Sequence, residues 1–370
     1  MKIAQIAPLI ESVPPRLYGG TERIASYVTE ELVALGHDVT LFASGDSITA
    51  ANLVPCVPKA LRLDASVRDT IPYYMLMLDR VRQRADEFDI LHFHIDQFHF
   101  PLFRNIAGRT VTTLHGRQDL ADLHSLYAGF NDMPLVSISN AQRGPVPNIN
   151  FAGTVLHGIP VRLHRAAEAH GGYLAFLGRI SPEKRPDRAI AIARALGIPL
   201  KIAAKVDHVD EVYFRTQIEP LLAGGGVEFI GEINDQQKSQ FLGGAQALLF
   251  PIDWPEPFGL AMIEAMACGT PVLAFRCGSV SEIIENGLTG AIVDSMEEAI
   301  AALPLVIALD RRKVRQRFEQ RFSATRMAKD YVGVYRSLRE SSKSAAALEQ
   351  DSNHRRGNGT SAIILRPSIA

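Results

Sequence analysis

Short apolar runs alternate with amphipathic helical patterns along most of this chain, and the series then begins a second time. Residues 2–7 read as a strand, 22–35 as a helix stopped by Gly36, and 38–43 as the next strand. Runs at 90–93, 110–114 and 135–138 continue the series. Strands alternating with helices build parallel βαβ units, covered by helices on both faces. After a polar, His- and Arg-rich stretch ending in Gly171-Gly172, a new series opens with strand 173–177, helix 186–196 and strand 200–204. Strands at 227–230, 247–250 and 271–275 follow. At 370 residues the chain is longer than one core usually supports. The pattern predicts an α/β protein of two doubly wound, Rossmann-like domains facing across a cleft. The expected division is a first domain at 1–160, a linker at 161–172, a second domain at 173–310 and C-terminal helices at 311–340. Residues 341–370, rich in Ser, Ala and Asn and carrying His354-Arg355-Arg356-Gly357, read as a disordered tail. Ligands of such sheets bind beyond the carboxyl ends of the strands.

Composition narrows the function classes. A net charge of −1 gives no support for a nucleic-acid partner. The three cysteines, Cys56, Cys268 and Cys277, have no metal spacing, and so low and odd a count suits a reducing cytoplasm. Residues 1–8 read as a short strand ending at Pro8, without the apolar core of a signal peptide. No run of about 18 apolar residues predicts a membrane span.

The strongest candidate site is Glu256-Pro257-Phe258-Gly259-Leu260-Ala261-Met262-Ile263-Glu264-Ala265-Met266-Ala267-Cys268-Gly269-Thr270-Pro271-Val272. Residues 259–268 are good helix formers, and Gly269 then Pro271 end the helix. It is apolar on nearly every side, which marks it as buried, and Glu264 is its one charge. A buried carboxylate is costly unless paired. Either a ligand hydroxyl or a neighbouring backbone group or Arg could satisfy it. Glu256 lies in the loop that leads to the helix N-terminus, where anions are favoured.

Glu-x7-Glu in this context resembles the signature of retaining GT-B glycosyltransferases, most closely glycosyltransferase family 4. The resemblance implies a GT-B fold, with the acceptor read by the first domain and a nucleotide sugar held by the second. It also implies that Glu264 binds the ribose of a nucleotide and Glu256 the donor sugar. Phe258, Gly259 and Leu260 would supply backbone contacts. In such proteins the last helix crosses back to the first domain, and the helix expected at 323–339 is a candidate for that crossing.

Other loops join this picture. Gly19-Gly20-Thr21-Glu22 opens the first long helix. Its glycines admit a close backbone approach and the helix end favours anions, although a plain turn capped by Thr21 reads as well. By resemblance, Gly19 and Gly20 lie beside the donor diphosphate and Glu22 beside the acceptor. Leu91-His92-Phe93-His94-Ile95-Asp96 ends a strand with both histidines on one face. A metal site lacks a third ligand of suitable spacing. His94 and Asp96 near the acceptor, or simply packed, remain the two readings. His115, followed by Gly116 at a strand end, points to the cleft and is expected to position substrate or donate a hydrogen bond. Arg179 and Lys184 converge on one loop, a cation pair suited to a diphosphate; Gly-Arg-x-x-x-x-Lys resembles the family's diphosphate clamp. Cys277-Gly278-Ser279-Val280-Ser281-Glu282 departs from the family's Gly-Gly-x-x-Glu at Cys277, and Glu282 is expected to order that loop. Ser139 to Arg143 resembles the family's Ser-x-x-x-Arg helix start, while His157-Gly158-Ile159 replaces its Asn-Gly-Ile.

A glycosidase pair is disfavoured: the two carboxyls should lie about 5 Å or roughly 6.5–9.5 Å apart, whereas eight helical residues span roughly 12 Å. The expectation is transfer from a nucleotide-diphosphate sugar, UDP- or GDP-linked, to a carbohydrate, lipid-linked or small-molecule hydroxyl. Retention of anomeric configuration is implied by the resemblance. His115, Arg179, Lys184 and Glu256 are the expected catalytic set. No Asp-x-Asp stands at a strand end in the donor half, so neither metal nor cofactor is expected. Nucleotide-sugar epimerisation on the same fold and non-catalytic nucleotide-sugar binding are the alternatives. Residues 66–87, with Tyr73, Tyr74, Met75 and Met77 beside Arg80, Arg82 and Arg84, read as a helix. It would line an acceptor groove, touch a membrane weakly, or pack against the core with a basic outer face.

Overall fold

A computed structural model describes residues 1–17, 19–166 and 171–357. The first sheet has seven strands: β1 Lys2–Ile6, β2 Asp38–Ser44, β3 Asn52–Val57, β4 Ile90–Phe93, β5 Thr110–Thr113, β6 Leu135–Ser137 and β7 Phe151–Thr154. Their order is β3-β2-β1-β4-β5-β6-β7, all parallel. The second sheet has six: β8 Tyr173–Arg179, β9 Leu200–Lys205, β10 Val227–Gly231, β11 Ala245–Phe250, β12 Val272–Phe275 and β13 Gly290–Val293. They run β10-β9-β8-β11-β12-β13, again all parallel. These are two doubly wound units, as the alternation predicts. Burial on both faces explains why a strand such as β12 reads as an unbroken apolar run.

Sequence order reverses between β1 and β4 in one sheet and between β8 and β11 in the other. Those two switch points open crevices at the strands' carboxyl ends, where ligands of such sheets bind. The loops bearing Gly19, His94, Arg179 and Glu256 all leave these four strands.

Strands β3, β7 and β13 lie outside the sequence expectations. They are edge or near-edge strands with partly exposed faces, so their apolar runs are short and interrupted. The helix expected at 66–87 is shorter, Ile71–Gln83, begun by Pro72 in its first turn, with a separate 3₁₀ turn at Ala85–Glu87. It packs Tyr74, Met77, Leu78 and Val81 inward and exposes Ile71, Met75 and Leu76.

The last helix runs Ala324–Gly357. Its Tyr331 and Tyr335 are fully buried in the cluster that holds Ile3, Ile90 and Val111 of the first sheet. Residues 341–357, expected as disordered tail, continue this helix. The stretch has neither Gly nor Pro before Gly357, and its middle, Ala345 to Gln350, consists of good helix formers. The rest of that expected tail, 358–370, and positions 167–170 of the expected linker lie outside the described residues.

Candidate active site

A cleft of about 790 Å³ separates the two domains. On its second-domain wall, Gly259 takes a left-handed φ of 83°, which turns the loop sharply into the helix Leu260–Ala267. A side chain there would press on Met262 and Phe250. The helix is buried from Met262 to Ala267, and Glu264 is 3% exposed within it. Its partner is Lys238, whose Nζ lies 2.8 Å from Glu264 Oε1. Lys238 stands on the helix Asp235–Gly243, opened by a capping box between Asn234 and Gln237. Burial pushes the Glu264 carboxyl up, but the charges of Lys238, His164 and Arg23 outweigh it and hold the group below its usual range.

Glu256 is buried at the cleft edge. It accepts from Trp254 Nε1 at 2.9 Å and pairs with Lys184. The Lys184 ammonium also lies 4.8 Å from the centre of the Trp254 ring. Arg179 leaves β8 beside it, paired with Glu183 and with its Nε 3.3 Å from Asp210 Oδ2. The loop after β12 fixes the backbone of this wall: Ser279 N donates to Glu256 O at 2.9 Å and Ser279 Oγ to Phe258 O at 2.9 Å. Gly278, at φ 55°, lies so close to the Glu256 backbone that a Cβ would collide with it. Phe258, Gly259 and Leu260 line the cleft.

The opposing wall carries Gly19, Gly20, Glu22, Arg23 and His115. Gly20 faces Leu260 across the cleft. Glu22 is 6% exposed, and its carboxyl is raised by burial against the lowering effect of nearby backbone N–H groups. Arg23 donates to Leu17 O at 2.7 Å, bracing the glycine loop, and forms an ion pair with Asp235 of the other domain. A second bridge joins the domains at Glu282, which accepts from Asn140 N at 2.8 Å and Ala141 N at 2.7 Å. Glu282, on the short helix Val280–Ile283, thus caps the first-domain helix Asn140–Arg143.

His115 is half-buried at the cleft surface, and His94 is not: it is fully enclosed behind His115, with Nδ1 2.9 Å from His115 Nε2. The expected acceptor-side placement of His94 is therefore corrected. It backs the wall, bonded to the His115 ring that lines the cleft. Asp96 is exposed with φ 51° and does not line the cleft. His92 uses both ring nitrogens, to Tyr335 and to Thr113 at 2.7 Å each, leaving none for a metal. Burial drives His92, His94 and His157 well below the usual imidazole value and His115 down to about 3.

Sequence reasoning missed Lys238, Arg23, Asp235 and Trp254. Trp254 had a usable signal, as the chain's single tryptophan two residues before Glu256. Lys238 and Arg23 had none, since tertiary contact alone brings them to Glu264.

Two facing doubly wound domains, with the pairs Lys184–Glu256 and Lys238–Glu264 on the second domain's side of the cleft, form a GT-B architecture. The profile of the Glycosyltransferase Family 4 matches residues 18–142, and that of Glycosyl transferases group 1 matches residues 165–323. This chain belongs to that group of glycosyltransferases. It is 36% identical over 129 residues to the GDP-mannose-dependent alpha-(1-6)-phosphatidylinositol dimannoside mannosyltransferase of Mycobacterium tuberculosis, covering 35% of this chain and 33% of that relative's length. The phosphatidyl-myo-inositol mannosyltransferase of Mycobacterium leprae matches at 25% identity over 86% of this chain and 90% of its own. In structure, a glycosyltransferase involved in avilamycin A biosynthesis superposes with a TM-score of 0.70 at 23% identity, over 92% of this chain and 98% of that one. These relatives are transferases and lend no support to the epimerase alternative.

Proposed function

We propose that this protein moves a sugar from a nucleotide-diphosphate sugar to an acceptor hydroxyl with retention of anomeric configuration. The observation that carries the reading is the convergence of Arg179, Lys184, Glu256 and Glu264 on one wall of the cleft, facing His115. Arg179 and Lys184 bind the diphosphate and stabilise the charge that grows on it as the bond to the sugar breaks. Glu256, already a hydrogen-bond acceptor, takes hydroxyls of the sugar, and Glu264 those of the ribose. The bond from the anomeric carbon to phosphate breaks as the bond to the acceptor oxygen forms on the same face. The acceptor's proton passes to the leaving phosphate. These residues supply the charge stabilisation without a bound metal or cofactor.

The donor is UDP- or GDP-linked, and the acceptor is a carbohydrate, lipid-linked or small-molecule hydroxyl compound. Weak peripheral membrane contact is supported by Ile71, Met75 and Leu76, exposed on the helix that also carries Arg80 and Arg82. Among the described residues no helix is long and apolar enough to cross a membrane. A cytoplasmic setting is supported by three free cysteines.

The test is a thermal-shift panel of UDP, GDP and ADP sugars. A donor that binds the native state raises its melting temperature. Stabilisation by none of them would remove the proposal.

A further inference from the structure

Behind His115 runs an unbroken chain of buried polar groups that the transfer reaction does not itself use. Gln5 on β1, His92 on β4 and Thr113 on β5 lie in adjacent strands, with Gln5 and His92 in direct register. His94 follows β4, and Tyr331 and Tyr335 descend on them from the last helix. The spacings are 2.9 Å from His115 Nε2 to His94 Nδ1, 2.8 Å from His94 Nε2 to Gln5 Oε1, and 3.3 Å from Gln5 Nε2 to the Tyr335 hydroxyl. The Tyr335 hydroxyl is 2.7 Å from His92 Nδ1, His92 Nε2 is 2.7 Å from Thr113 Oγ1, and Thr113 Oγ1 is 2.8 Å from the Tyr331 hydroxyl. Gln5, His92, Thr113, Tyr331 and Tyr335 are each 0% exposed and His94 is 2% exposed.

Such a chain has a direction, because a neutral imidazole carries one N–H and a hydroxyl one O–H. The carbonyl oxygen of Gln5 can only accept, so His94 must place its hydrogen on Nε2. His94 Nδ1 is then a bare acceptor, and the hydrogen between the two rings belongs to His115 Nε2. At the other end the Gln5 amide donates to Tyr335, and His92 bonds Tyr335 through Nδ1 and Thr113 through Nε2, donating from one nitrogen and accepting at the other. His115 is left with a lone pair on Nδ1. That atom makes no hydrogen bond to the described residues, and its ring lines the cleft.

We propose that Gln5, His94 and Tyr335 are positioning residues that lock His115 in its Nε2–H tautomer, so that its Nδ1 accepts a hydrogen bond from a hydroxyl of the bound sugar. The lock ties the first-domain wall of the site to the helix that arrives from the end of the chain. Of the two expectations for His115, positioning substrate or donating a hydrogen bond, it favours the first. The proposal rests on the sugar-transfer reading for its substrate, but the tautomer itself does not.

The test uses the full chain labelled with ¹⁵N-histidine, without ligand, and long-range ¹⁵N–¹H correlation to read each ring's protonated nitrogen. Nε2–H on both His94 and His115 is expected. Nδ1–H on His115, the state required if the Gln5 amide is turned over, would overturn the proposal. In Gln5→Leu, which removes the acceptor for His94, both rings should become tautomer mixtures. If that variant does not fold, Tyr335→Phe loosens the same amide from its other side and should give the same mixture. Unchanged tautomers in a folded variant would also overturn it. Calorimetry with GDP and with GDP-mannose, and with UDP and UDP-glucose, supplies the second readout. For the pair that binds, the gain in affinity from the sugar should fall about tenfold in the variant, while the bare nucleotide binds as before. If no nucleotide binds the wild type, the transfer reading fails and the tautomer result still stands.

Discussion

Replacing Lys238 with Met separates what holds Glu264 in place from what Glu264 does. Lys238 and Glu264 side chains are 13% and 5% exposed and 2.8 Å apart. Removing one partner of a buried pair leaves an uncompensated charge and costs roughly 3–5 kcal/mol. Arg23 and His164 still lie near the carboxylate, so the lower end applies, about 3 kcal/mol. In a chain of this length that is a drop of about 4 °C in melting temperature. The loss should shrink as pH falls toward 5, because a carboxyl left in a buried site without its lysine is raised and takes up a proton. The wild type behaves in the opposite sense. Its Glu264 is held low, so its contribution is complete above the ordinary carboxylate range and disappears only as pH falls through the depressed folded value. Lys238→Met with Glu264→Gln removes both charges and should recover stability to within about 1 kcal/mol. It should not recover binding, because it lacks the carboxylate that we propose holds the ribose. Thermal melts of all three proteins, with and without UDP and GDP, read both effects. A single variant as stable as the wild type would refute the pairing, and a double variant that responds normally to nucleotide would refute the role given to Glu264.

Lys184→Ala should slow transfer by about a hundredfold or more, far more than the lost pair with Glu256 lowers stability, and wild-type turnover in that variant would sink the clamp. Gly278→Ala places a methyl against the Glu256 backbone at a left-handed φ of 55°. It should cost roughly 1–2 kcal/mol by urea denaturation and reduce transfer more than that loss of fold accounts for; full activity would show that Glu256 tolerates displacement. The buried histidines make the fold acid-sensitive. His115 falls to about 3, and His92, His94 and His157 lie well below the ordinary value. The unfolded chain therefore binds more protons below about pH 6.5, and stability should drop by about 1.4 kcal/mol per pH unit for each ring kept neutral. Urea midpoints that stay level from pH 7 to 5 would contradict this.

The alternation of strands and helices was enough to read two doubly wound domains, because parallel strands buried on both faces are mostly apolar, interrupted by single polar residues such as Gln5 and His92. It missed β3, β7 and β13, whose partly exposed faces dilute that signal. The loop chemistry around Arg179, Lys184, Glu256 and Glu264 was legible as local spacing. The partner of Glu264 was not, since Lys238 lies 26 residues away with no pattern joining the two. His94 shows the limit of strand alternation. Alternation fixes the face on which a side chain lies but not its depth, and here the loop carrying His115 covers it. The last helix outran its expected end because composition suggested a solvated tail while individual residues favoured helix.

A crystal structure of this protein with an intact nucleotide-diphosphate sugar tests the central claim most directly. The account places the ribose hydroxyls on Glu264, the diphosphate between Arg179 and Lys184, and the sugar between Glu256 and His115. A nucleotide bound elsewhere, or in this cleft with its diphosphate away from Arg179 and Lys184, would contradict it.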